Sequence, residues 1–131
     1  MLRYIQSTLV HCALLSLGLA GGCGKPGPVT VTGKVLQGDK PIPVSPTGVV
    51  QVTLKPDVPE GAEFTTYVGR CNPDGSFEVL DVPLGKYKVG VEQLDPTPME
   101  DKLQGAHSVD NTKFIRDVDG KTPIVIDLAK P

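Results

Sequence analysis

Tryptophan is absent from the chain, and only three tyrosines and three phenylalanines stand among its 131 residues. That composition offers no broad aromatic platform on which bases or sugars could stack. Basic charge is not in excess either. The formal net charge is −2, so the electrostatic footprint of a nucleic-acid binder is missing. There are two histidines, His11 and His107, and His11 falls in an apolar leader. A nucleophilic triad or a histidine-based metal centre needs more than one histidine in an irregular segment supplies. Gly and Pro, by contrast, number 15 and 13 and are spread between short apolar alternations. Such punctuation suits a turn-rich all-β domain better than a helical one.

Long apolar runs are also scarce. The one that exists is Leu9 to Ala20, with Arg3 as the only charge before Lys25. It has the length of a signal-peptide core and is short for a membrane span. Small residues follow at once, and Leu19-Ala20-Gly21-Gly22-Cys23 resembles the lipobox of bacterial lipoproteins. In that family Leu usually stands three residues before the Cys. Here that place is Ala20, and Leu19 lies one step earlier. The resemblance implies that residues 1–22 are a cleaved signal and that Cys23 receives lipid and becomes the first residue. The competing reading is an ordinary signal peptide cleaved near Gly22. With Cys12 removed and Cys23 acylated, Cys71 has no partner for an intramolecular disulfide. About a hundred residues then remain, enough for an independent core. Residues 23–28 read as a short tether and 29–131 as the domain.

Strand signals recur along that domain. Val29, Val31 and Val35 share one face of a first strand, and Val50, Val52 and Leu54 one face of a second. Phe64 to Arg70 reads as a third. Asn72-Pro73-Asp74-Gly75 is a β-turn, with Pro fixing φ and Gly accepting a positive φ. Phe77 and Val79 then alternate with polar neighbours. After a second turn, Val82-Pro83-Leu84-Gly85, so do Tyr87, Val89 and Val91. Strand, tight connection and strand predict two adjacent antiparallel strands. Ile124, Ile126 and Leu128 form a closing strand. Between them, residues 93–121 lack alternation and are long for a connection. Thr97-Pro98-Met99-Glu100 predicts a short helical turn with Thr as N-cap, and Met99 and Leu103 sharing a face. Lys113 to Arg116 predicts a second turn, anchored by Phe114 or Ile115.

Taken in order, Val31-Thr32-Gly33-Lys34-Val35, Asp39-Lys40-Pro41-Ile42, Asn72 to Phe77 and Val82 to Tyr87 resemble the carboxypeptidase regulatory-like domain, a transthyretin-like β-sandwich. The resemblance covers roughly residues 29–128. It departs at Val44 to Val49, where a Pro-containing stretch leads into the second strand. It implies an antiparallel Greek-key sandwich of about seven strands. Its motifs are turn chemistry and alternation, so they speak of fold rather than activity.

Candidate chemistry is sparse. Transthyretin-like hydrolases use several histidines, an arginine and a characteristic C-terminal tetrapeptide, and this chain ends Leu128-Ala129-Lys130-Pro131. Asp74 beside Gly75 lacks the oxygen ligands of a calcium loop. An intramolecular isopeptide bond would draw on Lys34, Asp127 and Asp81 or Glu78, but alternation turns Lys34 and Asp127 toward water. Glu100, Asp101, Asp117 and Asp119 read as solvated surface. No catalytic or metal residue is expected, and no cofactor. The expectation is a non-catalytic cell-envelope module, anchored in the membrane through lipid on Cys23, that is structural or binds an envelope protein. The alternative is a module for a small ligand or glycan. The polar tip Gln104–Asn111 is the candidate contact surface.

Overall fold

The computed structural model describes residues 26–130. The expected signal, and Cys23 with it, lie outside the described residues.

Apolar alternation becomes seven strands: β1 (Val29–Leu36), β2 (Val49–Pro56), β3 (Tyr67–Arg70), β4 (Ser76–Val82), β5 (Gly85–Leu94), β6 (Ile115–Val118) and β7 (Ile124–Asp127). They form a three-stranded sheet ordered β4-β1-β7 and a four-stranded sheet ordered β3-β2-β5-β6. The apolar faces meet as a sandwich. Val31, Val35, Phe77, Val79, Ile124 and Ile126 come from the first sheet, and Val52, Leu54, Tyr87, Val89 and Val91 from the second; all are buried. This is the period-two pattern converted into one buried face per sheet. The all-β sandwich read from the sequence is therefore the observed fold. One pairing departs from an all-antiparallel arrangement: β1 and β7 run parallel, Gly33 opposite Ile124 and Val35 opposite Ile126.

Four features depart from a reading by alternation and turn signals alone. First, β4 and β5 are not neighbours. β4 pairs with β1, and β5 with β2. Only Pro83 and Leu84 separate them, yet that turn carries the chain from one sheet to the other. Proline at its start disfavours the positive-φ turns that close two-residue hairpins. The hydroxyl of Tyr87 donates to the carbonyl of Pro83 at 2.8 Å and holds the corner. Phe77 and Val79 thus face Tyr87 and Val89 across the core instead of lying beside them.

Second, β4 carries a bulge. Val79 pairs with Val31, but Val82, three residues on, pairs with Val29. The extra residue turns both Leu80 and Asp81 outward and puts Asp81 at a φ of 56°. Simple alternation would have sent Asp81 inward.

Third, no helix forms among the described residues. The amide of Lys102, which a helix would send to Pro98, donates to the carbonyl of Gln93 at 2.8 Å. The amide of Leu103 donates to the Asp101 carboxylate. Side-chain and sheet acceptors have outcompeted the helical ladder. Met99, expected to pack beside Leu103, is 83% exposed.

Fourth, the third strand starts only at Tyr67, and Phe64 is 49% exposed, its ring under the Lys55 ammonium at 4.9 Å. Ile115 and Arg116, expected in a second short turn, belong instead to β6, with Phe114 as the buried anchor just before it.

Candidate functional site

A cleft of about 400 Å³ opens at one end of the sandwich. Its floor is Val35 at the end of β1 and Val50 at the start of β2, with Ile42 beside them. One wall is the β3–β4 turn, Cys71 to Gly75, and the other is the irregular stretch Val44 to Gly48.

Local chemistry explains the first wall. The amide of Gly75 closes the turn onto the carbonyl of Asn72 at 2.9 Å, and the amide of Val35 reaches the carbonyl of Gly75 at 2.9 Å. Gly75 has a φ of 84°, and a Cβ there would sit 2.5 Å from the Val35 carbonyl oxygen. Only glycine satisfies both conditions. Asp74 accepts from the Ser76 amide at 2.9 Å and from its hydroxyl, which lowers its pKa below the ordinary carboxylate value.

The second wall hangs from the far end of β5. The Asp95 carboxylate accepts from the Ser45 amide at 2.9 Å and from the Ser45 hydroxyl. The Gln93 side-chain amide donates to the Pro43 carbonyl at 2.7 Å, and the Thr97 amide to the Thr47 carbonyl at 2.9 Å. These partners lie about fifty positions apart, as Ser45 and Asp95 do. No short-range pattern announces them. The hydrogen bonds to Ser45 hold the Asp95 carboxyl below its ordinary pKa. A depressed folded-state pKa contributes stability that is present above the unfolded value, roughly 3.9, and is lost as pH falls through the folded one. Ser45→Ala is expected to raise the Asp95 pKa toward the ordinary value, read by carboxyl-carbon NMR titration. An unchanged titration would show that the wall is held some other way.

Asn72 and Cys71 are the other polar side chains that line the cleft. The Asn72 side-chain amide donates to the Ser76 hydroxyl at 3.0 Å. Burial pushes the Cys71 thiol up to about 11, and the Asp74 carboxylate adds to the rise. At neutral pH the thiol is protonated and weakly nucleophilic. Cys71 is a half-buried free cysteine immediately after β3.

The expected contact surface, Gln104–Asn111, is built differently from a free loop tip. The carbonyl of His107 accepts from the Val91 amide at 2.7 Å. Val109 covers Gly90, where an added Cβ would meet the Val109 nitrogen at 2.7 Å. Asp110 pairs with Lys55 at 3.1 Å. The segment therefore completes the edge and outer face of β5. Its replacement by a Gly/Ser linker would not leave the sheet untouched. His107 stacks on Phe114, ring centres 5.8 Å apart, above a shallow recess shared with Ala106, Asn111 and Lys113.

Asp101 and Asp119 are not simply solvated. Asp101 accepts from the amides of Gln93, Leu103 and Gly105 at 2.9–3.0 Å. Asp119 is lowered to about 2 by the hydroxyl and amide of Thr122 and the amide of Lys121. Lys34 and Asp127 do not meet. Lys34 lies opposite Val125, while Asp127 lies opposite Leu36 and accepts from the amides of Gly38 and Ala129. Among the described residues, no group of three or more His, Cys, Asp or Glu side chains converges as metal ligands would. Comparison with family models, with curated proteins and with solved structures gave no match.

Proposed function

We propose that the chain is a lipid-anchored, non-catalytic module of the cell envelope, held by lipid on Cys23, that binds a partner through the cleft between Val44–Gly48 and Cys71–Gly75. The observation that carries this reading is the state of the cleft's polar groups. The Ser45 hydroxyl and one Asn72 side-chain N–H are used in holding the walls, and burial pushes the Cys71 thiol up to about 11. An apolar floor with committed polar walls favours contact over reaction. The transthyretin-like, Greek-key assignment belongs to the same reading. In its support, the Asn72–Gly75 motif forms the β3–β4 turn and Val82–Gly85 forms the corner between sheets. A second reading, a small-ligand module, draws on the cleft's volume, which lies in the range of small-molecule sites. A glycan is less well served, because the exposed aromatic Phe64 lies away from the cleft.

The test has two readouts. Cys23→Ala is expected to move the protein from the detergent phase to the aqueous phase, since several acyl chains on one cysteine anchor firmly. Unchanged partitioning would sink the anchor. Val44→Asp, at the exposed rim of the cleft, should abolish partner capture from solubilised membranes while leaving partitioning intact. Capture that survives it would place the contact elsewhere.

A further inference from the structure

The chain enters the sandwich at the end opposite the cleft. β1 starts at Val29, beside Val82 and Gly120, and reaches the cleft only at Val35. Its eight residues span roughly 25 Å at the usual strand rise. The tether residues Gly24 to Pro28 reach at most about 17 Å even when fully extended. An anchor on Cys23 therefore keeps the Val29 end close to the bilayer, with the cleft at the other end of β1.

That near end carries its own surface. It is made by the loop after β2, by the β4–β5 corner and by the β6–β7 loop. The Asp57 amide donates to the Lys86 carbonyl, which sets Val58 near the corner that holds Leu84. Val58 is 41% exposed and Leu84 40% exposed. The acids Asp57, Glu60, Glu63, Asp81, Asp117 and Asp119 on these loops and strand ends outnumber the cations there, Lys55, Lys86, Arg116 and Lys121.

We infer that this end, with Val58 and Leu84 as its apolar contacts, rests on the surface of a zwitterionic bilayer. The inference depends on the lipid anchor proposed above. Scattered apolar side chains of this size do not bind a membrane by themselves. Held there by acyl chains, however, they meet the interface at high effective concentration. The acidic surround favours zwitterionic headgroups, because an anionic surface repels it within a Debye length. The contact orients the domain and presents the cleft to partners that are not lipid.

Because the chain has no tryptophan, single substitutions report position without background. Full-length lipoprotein carrying Val58→Trp, Leu84→Trp or, at the cleft, Pro73→Trp is reconstituted in phosphatidylcholine vesicles with brominated acyl chains. Quenching at positions 58 and 84 is expected to exceed that at 73 by about twofold or more, as for side chains seated at the headgroup boundary. In vesicles of phosphatidylglycerol the difference should shrink, and high salt should restore it. Equal quenching at all three positions, or the strongest quenching at 73, overturns the inference. So does a contact that strengthens on the anionic vesicles. The mass of the N-terminal peptide and flotation with the vesicles report separately on the anchor. A chain without acyl groups that fails to float overturns the anchor, and the membrane-facing end falls with it.

Discussion

Leu54→Ala is expected to lower the free energy of unfolding by about 2–5 kcal/mol, read from urea denaturation. Leu54 lies in the middle of β2 and is fully buried. It pairs with Tyr67 on one side and Val89 on the other, so its side chain fills the centre of the larger sheet's inner face. Tyr67 and Tyr87 close over this region edge to face, ring centres 6.2 Å apart. Removing the isobutyl group forfeits its transfer energy and leaves a cavity that two rigid sheets refill poorly. Val68 on β3 is an instructive control, being as apolar as Val89 but 52% exposed. Val68→Ala should cost no more than about 1 kcal/mol, the span of strand propensity. Val89→Ala, its buried counterpart, should cost about 1–3 kcal/mol, and Lys88→Ala no more than about 0.5 kcal/mol. Equal losses at Lys88 and Val89 would mean that the register of β5 is off by one residue, which exchanges the two faces.

Asp101→Ala should cost on the order of 2 kcal/mol, the scale of charge-assisted hydrogen bonds left without their acceptor. The carboxylate gathers three backbone amides, those of Gln93, Leu103 and Gly105. One belongs to β5 and two to the segment beyond it, so Asp101 is the joint between sheet and segment. Its loss should be felt locally as well as globally. Amide exchange should quicken at Gln93, Leu103 and Gly105, and at Val91, whose partner is the His107 carbonyl. The β4-β1-β7 sheet, which makes none of these bonds, should keep its protection. Asp101→Asn, which retains one acceptor oxygen, should fall between. A uniform change in exchange across both sheets would mean that the segment folds with the sandwich as one unit and that Asp101 is no separate joint.

The sequence by itself determined the class of fold and most of the core. Period-two alternation at Val50, Val52 and Leu54, at Tyr87, Val89 and Val91, and at Ile124 and Ile126 is local, and each run states its own buried face. The turn at Asn72–Gly75 was legible for the same reason, since Pro and Gly act on their own backbone angles. Tertiary structure decided what depends on distant partners. Whether β4 and β5 share a sheet was settled by which strands they pair with. The bulge at Leu80 and Asp81 exists only against β1. Residues 97–103 had helical signals of their own, but Gln93 and the Asp101 carboxylate took the amides that a helix required. The cleft lay furthest from the sequence's reach. One wall hangs on a carboxylate fifty positions away from the serine it holds. A long-range hydrogen bond leaves no periodicity behind it, because periodicity records only which face of a single strand is dry.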